Sequence, residues 1–368
     1  MKLFDVYSLL DMEPVKAQGA YLWDKNGVEY LDFYGGHAVI SIGHTHPHYV
    51  ATISEQLSKI GFYSNAVING LQVELAEKLG PLTGYPDYEL FLCNSGAEAN
   101  ENAVKLASFT TGRARVLAMH GAFHGRTSLA VAISDNPAIQ APVNKTDKVA
   151  YIDLNDIEAL ERELKSEQYA AVIIEPIQGV NGIREASKEF MQAAREVCDK
   201  TGTMLICDEV QAGYGRSGRF FSHQWSGIKA DIISMAKGIA NGFPVGAIMV
   251  SPKIPAKKGM LGNLSITEEG IEVKTAGSCV GHVVLLIIIE GRPLHPYRCR
   301  IGTESDEHSR RFPAKSEDIR PAHLLQTDRQ SLIPCLHIIV DLAIQRKDRC
   351  IRIDIFLSIH LHAQGYCH

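Results

Sequence analysis

The alternation of apolar and polar positions predicts a regular strand–helix pattern between residues 88 and 251. The predicted strands are ELFLCN (89–94), RVLAM (115–119), YAAVIIEP (169–176), TMLICDE (203–209), DIISMAK (231–237) and GAIMVS (246–251). Short apolar runs at this spacing, separated by helical segments, favour a mainly parallel sheet with helices on both faces. We therefore predict an α/β fold.

Helices and a hairpin follow from the same pattern. Apolar residues spaced three and four apart predict helices at 48–60, 70–80, 96–109 and 188–202. Gly112 and Gly202 follow the last two helices, where glycine commonly ends a helix. Near the amino terminus, the segment 19–33 alternates around Asn26-Gly27, which predicts a β-hairpin.

The composition and the periodicity of the sequence change near residue 275. The remainder contains five of the eight cysteines and eight of the fifteen histidines, and its Arg-rich pieces lack clean periodicity. The stretch 338–363 fits a strand and a helix equally well. We do not place this region on the predicted sheet.

Bulk composition narrows the class of protein. A net charge of −5 argues against nucleic acid as a partner, because phosphate binding needs clustered Lys and Arg. The run CVGHVVLLIIIE (279–290) is too short to span a bilayer, and the first residues do not form a signal peptide. The cysteines form no C-x-x-C pair and indicate reduced thiols. We expect a cytoplasmic protein without a membrane or metal site.

Two apolar runs lead into charged residues that suggest a cofactor. Lys237 ends one run, and Asp208 lies near the end of the other. Pyridoxal phosphate needs a lysine to hold its aldehyde as a Schiff base and a carboxylate to keep its ring nitrogen protonated. The apolar residues before Lys237 would keep its amine neutral. Taken alone, the pattern around Lys237 favours a strand-end lysine that reaches solvent, and the pattern around Asp208 favours a helix cap or a salt-bridge partner.

Two loops suggest contacts to such a cofactor. Ser95, Gly96 and Ala97 join a strand to a helix, where free amides and the helix dipole favour an anion such as phosphate. In the loop 121–127, Phe123 can stack on a ring and Arg126 can bind a carboxylate. Each loop alone has an ordinary alternative, a turn that binds nothing or a surface loop. The histidines at 44–48 indicate a turn rather than a metal site.

Together these pieces resemble the class III, pyridoxal-phosphate-dependent aminotransferases, in the acetylornithine aminotransferase branch. The matching stretches, in family order over residues 1–262, are YLDFYGGHAVISIGHTHP (30–47), LFLCNSGAEANENAVKLA (90–107), AFHGRT (122–127), IIEPIQGV (173–180), ICDEVQAGYGRSGRFF (206–221) and MAKGIANGFPVGA (235–247). The resemblance implies fold type I, with a mixed, mainly parallel seven-stranded sheet and flanking helices. It also implies a small domain built from both chain ends, which is incomplete or aberrant here.

The resemblance assigns roles to individual residues. Lys237 would carry the cofactor and move the proton, and Asp208 would pair with the ring nitrogen. Ser95, Gly96 and Ala97 would bind the phosphate, Phe123 and Val210 would contact the two faces of the ring, and Gln211 would bind the ring hydroxyl. Arg126 would bind the substrate carboxylate, and Glu175 would be an acid near the active site.

The implied reaction moves the terminal amino group of N-acetylornithine to 2-oxoglutarate, a step of arginine biosynthesis, in a homodimer with its site at the interface. Val180 stands where family members often carry an acid, so N-succinylornithine remains an alternative substrate. Ornithine and 4-aminobutyrate aminotransferases are further alternatives.

The resemblance also divides the chain into three predicted regions. Residues 1–48 would belong to the small domain, 49–262 would form the large cofactor-binding domain, and 263–368 would be an aberrant, unfamiliar region. A shifted reading frame after residue 262 is one explanation for that region. The competing hypothesis to a working enzyme is an inactive remnant that has the cofactor platform but lacks the small domain and the dimer.

Overall fold

The computed structural model describes residues 1–65 and 67–256, together with the backbone of five strands beyond them. The chain divides into two compact units. The first comprises Met1–Glu268 and Glu272–Thr275, and the second comprises Glu269–Ile271 and Ala276–His368. Each unit is described by itself below.

The amino-terminal part of the first unit is a three-stranded antiparallel sheet. Its strands are β1 (Pro14–Gln18), β2 (Tyr21–Asp24) and β3 (Glu29–Leu31). The predicted hairpin at 19–33 is confirmed by the pairing of β2 with β3. Asp24 closes the turn, because its Oδ1 accepts hydrogen bonds of 2.9 Å from the amides of Asn26 and Val28. Strand β1 was not predicted.

Three helical segments connect this sheet to the rest of the unit. They are α1 (Gly35–Ala38), α2 (Pro47–Lys59) and α3 (Gly70–Thr83). The predicted helices at 48–60 and 70–80 are confirmed as α2 and α3. The Asn69 side chain begins α3 by accepting from the Leu71 amide at 3.1 Å, and Gly84 ends it with φ +80°.

The next strands along the chain are β4 (Glu89–Cys93), β5 (Arg115–Met119), β6 (Val149–Ile152), β7 (Tyr169–Ile174), β8 (Ile177–Gln178), β9 (Arg184–Glu185), β10 (Met204–Asp208), β11 (Ile232–Met235) and β12 (Gly246–Val250). Seven of these strands form the central sheet, in the order β4-β12-β11-β10-β7-β5-β6. Within this sheet, β12 runs in the opposite direction to the other six strands, which are parallel to one another. The predicted mixed, mainly parallel sheet of seven strands is confirmed, although β6 was missed; β8 and β9 form a separate two-stranded ribbon.

Helices cover both faces of this sheet. They are α4 (Gly96–Thr111), α5 (Ser128–Ala132), α6 (Ile157–Leu164) and α7 (Lys188–Thr201), with short 3₁₀ turns at Pro137–Ile139, Pro142–Asn144, Ser222–Ser226 and Lys237–Ala240. Alternate strand residues supply two separate buried clusters, one packed on α6 and α7 and the other on α4. The predicted glycine stops are confirmed, since Gly112 and Gly202 both adopt the left-handed conformation.

The strands beyond residue 256 are β13 (Leu264–Thr267), β14 (Gly270–Lys274), β15 (Arg300–Gly302), β16 (Cys335–Arg346) and β17 (Arg349–His360). In the second unit, β16 and β17 pair antiparallel, so most of the stretch 338–363 is strand rather than helix. The predictions for 279–290 and for the character of 263–368 otherwise lie outside the described residues. Within the described part of the chain, no helix has the length and apolar character needed to cross a membrane.

Candidate active site

Lys237 and Asp208 come from neighbouring parallel strands of the central sheet. Asp208 is the last residue of β10 and is paired in register with Ser234 of β11. Lys237 follows two residues after β11 ends. Because parallel strands end at the same edge of a sheet, both residues lie at its carboxyl edge, where α/β proteins commonly bind ligands.

Lys237 lies half-buried at this edge of the sheet. It begins the short 3₁₀ turn Lys237–Ala240, and its φ of +48° lies in the left-handed region. Burial lowers the pKa of Lys237, and the charges of Asp208 and Glu175 offset only part of that effect. A lowered pKa increases the fraction of neutral amine, which is the form that reacts with a carbonyl.

Asp208 is held by three hydrogen bonds. Its Oδ2 accepts from Asn100 Nδ2 and from His124 Nδ1, both at 2.7 Å. Its Oδ1 accepts from the Val210 amide at 2.9 Å. Ser234 Oγ donates to Asn100 Oδ1 at 2.5 Å and thereby fixes which way the amide points. The carboxylate is 3% exposed, so its position is determined by this network and not by solvent.

His124 and Glu175 extend the charged cluster. His124 is fully buried, which lowers the pKa of its ring, but the hydrogen bond and charge of Asp208 raise the pKa of His124 above its ordinary value. Its Nε2 is buried and has no hydrogen-bond partner among the described residues. Burial and the charge of Asp208 raise the pKa of Glu175 to about 7, against the opposing charges of His124 and Lys237. Four titratable side chains therefore influence one another at this edge.

The start of α4 adjoins this cluster. Ser95 caps the helix by accepting from the Glu98 amide at 3.2 Å. The first amides of any helix, here those of Gly96 and Ala97, have no carbonyl partner within the helix. A Cβ placed on Gly96 would lie 2.7 Å from Val210 Cγ1. Glycine at this position therefore lets the helix start approach Val210 closely.

The other predicted site residues border the same edge. Glu175 Oε2 accepts from the Phe123 amide at 2.9 Å. Gln211 Nε2 donates to the carbonyl of His37 at 3.3 Å. Arg126 is exposed; it donates to the hydroxyl of Tyr7, and its guanidinium lies 5.7 Å from the centre of the Tyr7 ring.

Sequence reasoning missed several polar residues that the fold places beside the predicted ones. They are Tyr7, Asn100, Ser234 and a second buried network of Glu209, His223 and Tyr85. Asn100 carried a signal that was not used, because it is a polar residue on the buried face of α4 between Ala99 and Ala103. The others had no local signal.

Glu209 follows Asp208 and is completely buried. Its Oε1 accepts from His223 Nδ1 at 2.7 Å and from the His223 amide at 2.9 Å. Its Oε2 accepts from the amide and hydroxyl of Ser222. The remaining ring nitrogen, His223 Nε2, meets the Tyr85 hydroxyl at 2.5 Å.

The predicted turn at 44–48 is wrong for most of its histidines, because His44 forms a β-bridge with Gly19, His46 is the N-cap residue of α2 and His48 lies within α2. His44 Nε2 lies 2.8 Å from Asp32 Oδ2, and that hydrogen bond is the main cause of a lowered pKa for Asp32. Within the described ranges, no three His, Cys, Asp or Glu side chains are grouped as metal ligands would be.

Comparison with known proteins gives a consistent family assignment. The family model for Aminotransferase class-III matches residues 6–267. The acetylornithine aminotransferase of Vibrio vulnificus (strain YJ016) is 41% identical over 255 residues, which cover 67% of this chain and 62% of that protein. The chain thus spans less than two thirds of the length of this curated relative.

Solved structures agree on the fold. The N-acetylornithine aminotransferase from Stenotrophomonas maltophilia K279a matches with a TM-score of 0.58 and 35% identity, over 66% of this chain and 63% of that one. The taurine:2-oxoglutarate aminotransferase from Bifidobacterium kashiwanohense, solved in complex with PLP and glutamate, matches with a TM-score of 0.64 and 29% identity, over 69% and 63%. The predicted fold type I is confirmed, and the chain belongs to the class-III aminotransferase family.

Proposed function

We propose that this protein is a pyridoxal-phosphate-dependent aminotransferase that moves the terminal amino group of N-acetylornithine to 2-oxoglutarate. One observation carries the proposal: a half-buried lysine with a lowered pKa follows the strand next to the one that ends in the buried Asp208. The choice of substrate is supported by the acetylornithine aminotransferases that this chain resembles at about 40% identity.

The residues at the sheet edge fit the cofactor. The amides of Gly96 and Ala97, with Ser95, would hold its phosphate, and Gly96 brings that helix start into close contact with Val210. Val210 and Phe123 would contact the two faces of the ring. Gln211 would bind the ring hydroxyl, Asp208 the ring nitrogen, and Lys237 the aldehyde carbon. Bound there, the cofactor supplies an electron sink beside the substrate's amine-bearing carbon.

Asp208 and Lys237 divide the proton chemistry. Asp208 accepts three hydrogen bonds, which fix its carboxylate where the ring nitrogen of the cofactor would face it. The Lys237 amine has a lowered pKa and, once free, would take a proton at Nζ from the amine-bearing carbon of the substrate and deliver it to the former aldehyde carbon of the cofactor, on the other side of the amine nitrogen. Proton transfer is therefore assigned to Lys237 Nζ.

Arg126 would orient the substrates. N-acetylornithine and 2-oxoglutarate each carry a carboxylate beside the reacting carbon or at the far end, and an arginine binds such a group with two parallel hydrogen bonds. The guanidinium already donates to the Tyr7 hydroxyl, so Tyr7 would limit how it turns. A homodimer and a cytoplasmic location belong to the same proposal, to be checked by sedimentation and by cell fractionation.

The test is to purify the full chain, add pyridoxal phosphate and follow absorbance and glutamate formation. Lys237→Ala should abolish both the yellow absorption band and the glutamate signal. Lys165→Ala, at a lysine with a 73% exposed side chain, should leave both unchanged. The amino donors would be N-acetylornithine, N-succinylornithine, ornithine and 4-aminobutyrate, each with 2-oxoglutarate.

The outcomes separate the competing hypotheses. Glutamate formed best from N-acetylornithine supports the proposal, and a faster reaction with another donor reassigns the substrate. A yellow protein that forms no glutamate from any donor identifies an inactive remnant. A colourless wild-type protein overturns cofactor binding itself.

A further inference from the structure

Asn241, just after the turn that carries Lys237, makes three side-chain hydrogen bonds to the segment 37–43. Asn241 Oδ1 accepts from the amides of Ser41 and Ile42, at 2.7 and 3.1 Å. Asn241 Nδ2 donates to the Gly43 carbonyl at 3.0 Å. The asparagine is 8% exposed, so these bonds compete little with water. These three hydrogen bonds reach residues about two hundred positions away in the chain.

Both ends of the lysine-bearing turn have unusual backbone conformations. Lys237, at the start, has φ +48°, and Asn241, just after the end, has φ +48° and ψ +38°. A residue other than glycine in this region costs about 1–3 kcal/mol and persists only where its surroundings hold it. Asparagine tolerates the conformation better than lysine does. The strain at Lys237 therefore needs an external restraint.

Further contacts fix the middle of the turn. Ser41 Oγ donates to the Gly238 carbonyl at 3.0 Å, and the Tyr49 hydroxyl donates to the Ala240 carbonyl at 3.0 Å. On the other side, a Cβ added to Gly238 would lie 2.9 Å from Tyr214 Cβ. The turn is thus held between the amino-terminal segment and Tyr214.

Two further side chains bind the same amino-terminal segment. Arg216 Nη2 donates to the carbonyls of Ala38 and Ile40, at 2.9 and 2.6 Å. Gln211 Nε2 donates to the carbonyl of His37. Segment 37–43 is therefore attached at several points, and Asn241 contributes three of these hydrogen bonds, more than any of the other side chains described above.

We propose that Asn241 is a positioning residue for Lys237, which acts by holding segment 37–43 against the turn Lys237–Ala240. The proposal rests on the function assigned above to Lys237. When the attachment is lost, the turn relaxes, water reaches the amine and Lys237 loses part of the burial that lowers its pKa. The asparagine acts through its bonds to Ser41, Ile42 and Gly43.

The first test measures hydrogen exchange in the cofactor-free chain. Asn241→Gly keeps the left-handed backbone but removes the three side-chain bonds. Amides in 37–43 and in 236–242 should both exchange on the order of tenfold faster or more, because each lost bond contributes about 1 kcal/mol. Asn241→Asp retains an acceptor for the two amides and should restore much of the protection.

Asn155→Gly provides the matched control. Asn155 also has positive φ, at +75°, and its side chain also joins two segments, by bonding the Glu185 carbonyl and the Ser187 amide. The same loss of chain rigidity therefore occurs in both variants. In Asn155→Gly, exchange at 37–43 and 236–242 should match the wild type.

The second test uses the cofactor-loaded chain and titrates its absorption band with pH. Asn241→Gly should shift the midpoint of the titration, and Asn241→Asp should shift it less. Faster exchange at 37–43 with unchanged exchange at 236–242 would overturn the proposal, because Asn241 would then anchor only the amino-terminal segment. The exchange measurement needs no cofactor. A colourless wild-type chain would therefore refute the proposed function, while the exchange data would still decide whether Asn241 restrains the turn.

Discussion

Two consecutive carboxylates, Asp208 at the end of β10 and Glu209 directly after it, bond to different parts of the fold and have contrasting surroundings. Asp208 and Glu209 are both buried, and each accepts a 2.7 Å hydrogen bond from Nδ1 of a buried histidine, His124 and His223 respectively. Successive residues of an extended strand point to opposite faces of the sheet. The same local arrangement is therefore built twice, back to back.

The two pairs differ in what the second ring nitrogen meets. His223 Nε2 is bonded by the Tyr85 hydroxyl, and both oxygens of Glu209 have protein donors. His124 Nε2 has no partner among the described residues, and Asp208 shares its surroundings with Lys237 and Glu175, whose pKa values are shifted. A fully satisfied network stabilises a fold, whereas shifted and unsatisfied groups mark a reactive site. We infer that the Asp208 side serves chemistry and the Glu209 side serves stability.

The largest expected effect separates the two carboxylates directly. Asp208→Asn should lower kcat/KM on the order of 10³-fold, because it removes a charge placed to stabilise the reacting system. Glu209→Gln should leave kcat/KM within about tenfold but lower the free energy of unfolding by about 3 kcal/mol, because it breaks a buried charged network. Turnover per bound cofactor and chemical denaturation measure the two quantities.

A loss of turnover in Glu209→Gln would contradict the different roles inferred for Asp208 and Glu209. If Glu209→Gln lost turnover as severely as Asp208→Asn while remaining equally stable, the second pair would also belong to the reactive site. Cofactor occupancy has to be measured in both variants, so that weak binding is not mistaken for slow chemistry.

A second difference is pH-dependent and belongs to Glu175, on the Asp208 side. Its pKa is raised from 4.5 to about 7, so the folded chain binds a proton more tightly than the unfolded chain. The resulting stability is present below about pH 4.5 and is lost as the pH rises through about 7, a change of about 3 kcal/mol. Glu175→Gln should remove this slope from the free energy of unfolding of the cofactor-free chain.

Glu196→Gln is the control for that measurement, because Glu196 has a 73% exposed side chain. It should keep the wild-type slope between pH 4.5 and 7. An unchanged slope in Glu175→Gln would show that Glu175 does not titrate in this range.

Replacing the histidine partners of the two carboxylates should produce the same kinds of effect, with smaller magnitudes. His124→Asn should lower kcat about tenfold and move the pH profile of kcat, because Asp208 loses a charge-assisted bond. His223→Asn should instead lower the free energy of unfolding by about 2 kcal/mol, because Glu209 and Tyr85 both lose a buried partner. An unaltered pH profile in His124→Asn would contradict an electrostatic role for His124.

Sequence patterns predicted the parts of this fold that depend on neighbouring residues. Glycine stops, helix periodicity and the apolar strands were recognisable because each is a local signal, and the family motifs located Lys237 and Asp208. Strand β6 (Val149–Ile152) was missed because it is only four residues long and partly exposed. The partners within the two networks were also missed. Ser234 and Tyr85 lie 134 and 138 positions from the residues they contact, so only the sheet order brings them together.

The smallest predicted effect tests whether closure of the second network matters. Tyr85→Phe would remove the partner of His223 Nε2 and make it resemble His124 Nε2, which has no partner in the part of the chain that the structure describes. Burial raises the pKa of Tyr85, so its hydroxyl stays protonated as a donor and its loss should cost about 1 kcal/mol of unfolding free energy. Tyr88→Phe, which loses a 2.6 Å bond to the Ala230 carbonyl, is the matched control for removing one tyrosine hydroxyl. Turnover should be unchanged in both variants. If Tyr85→Phe alone slowed turnover, an unpartnered histidine on this side would disturb Asp208 through Glu209, and the two faces of the sheet would be coupled rather than separate.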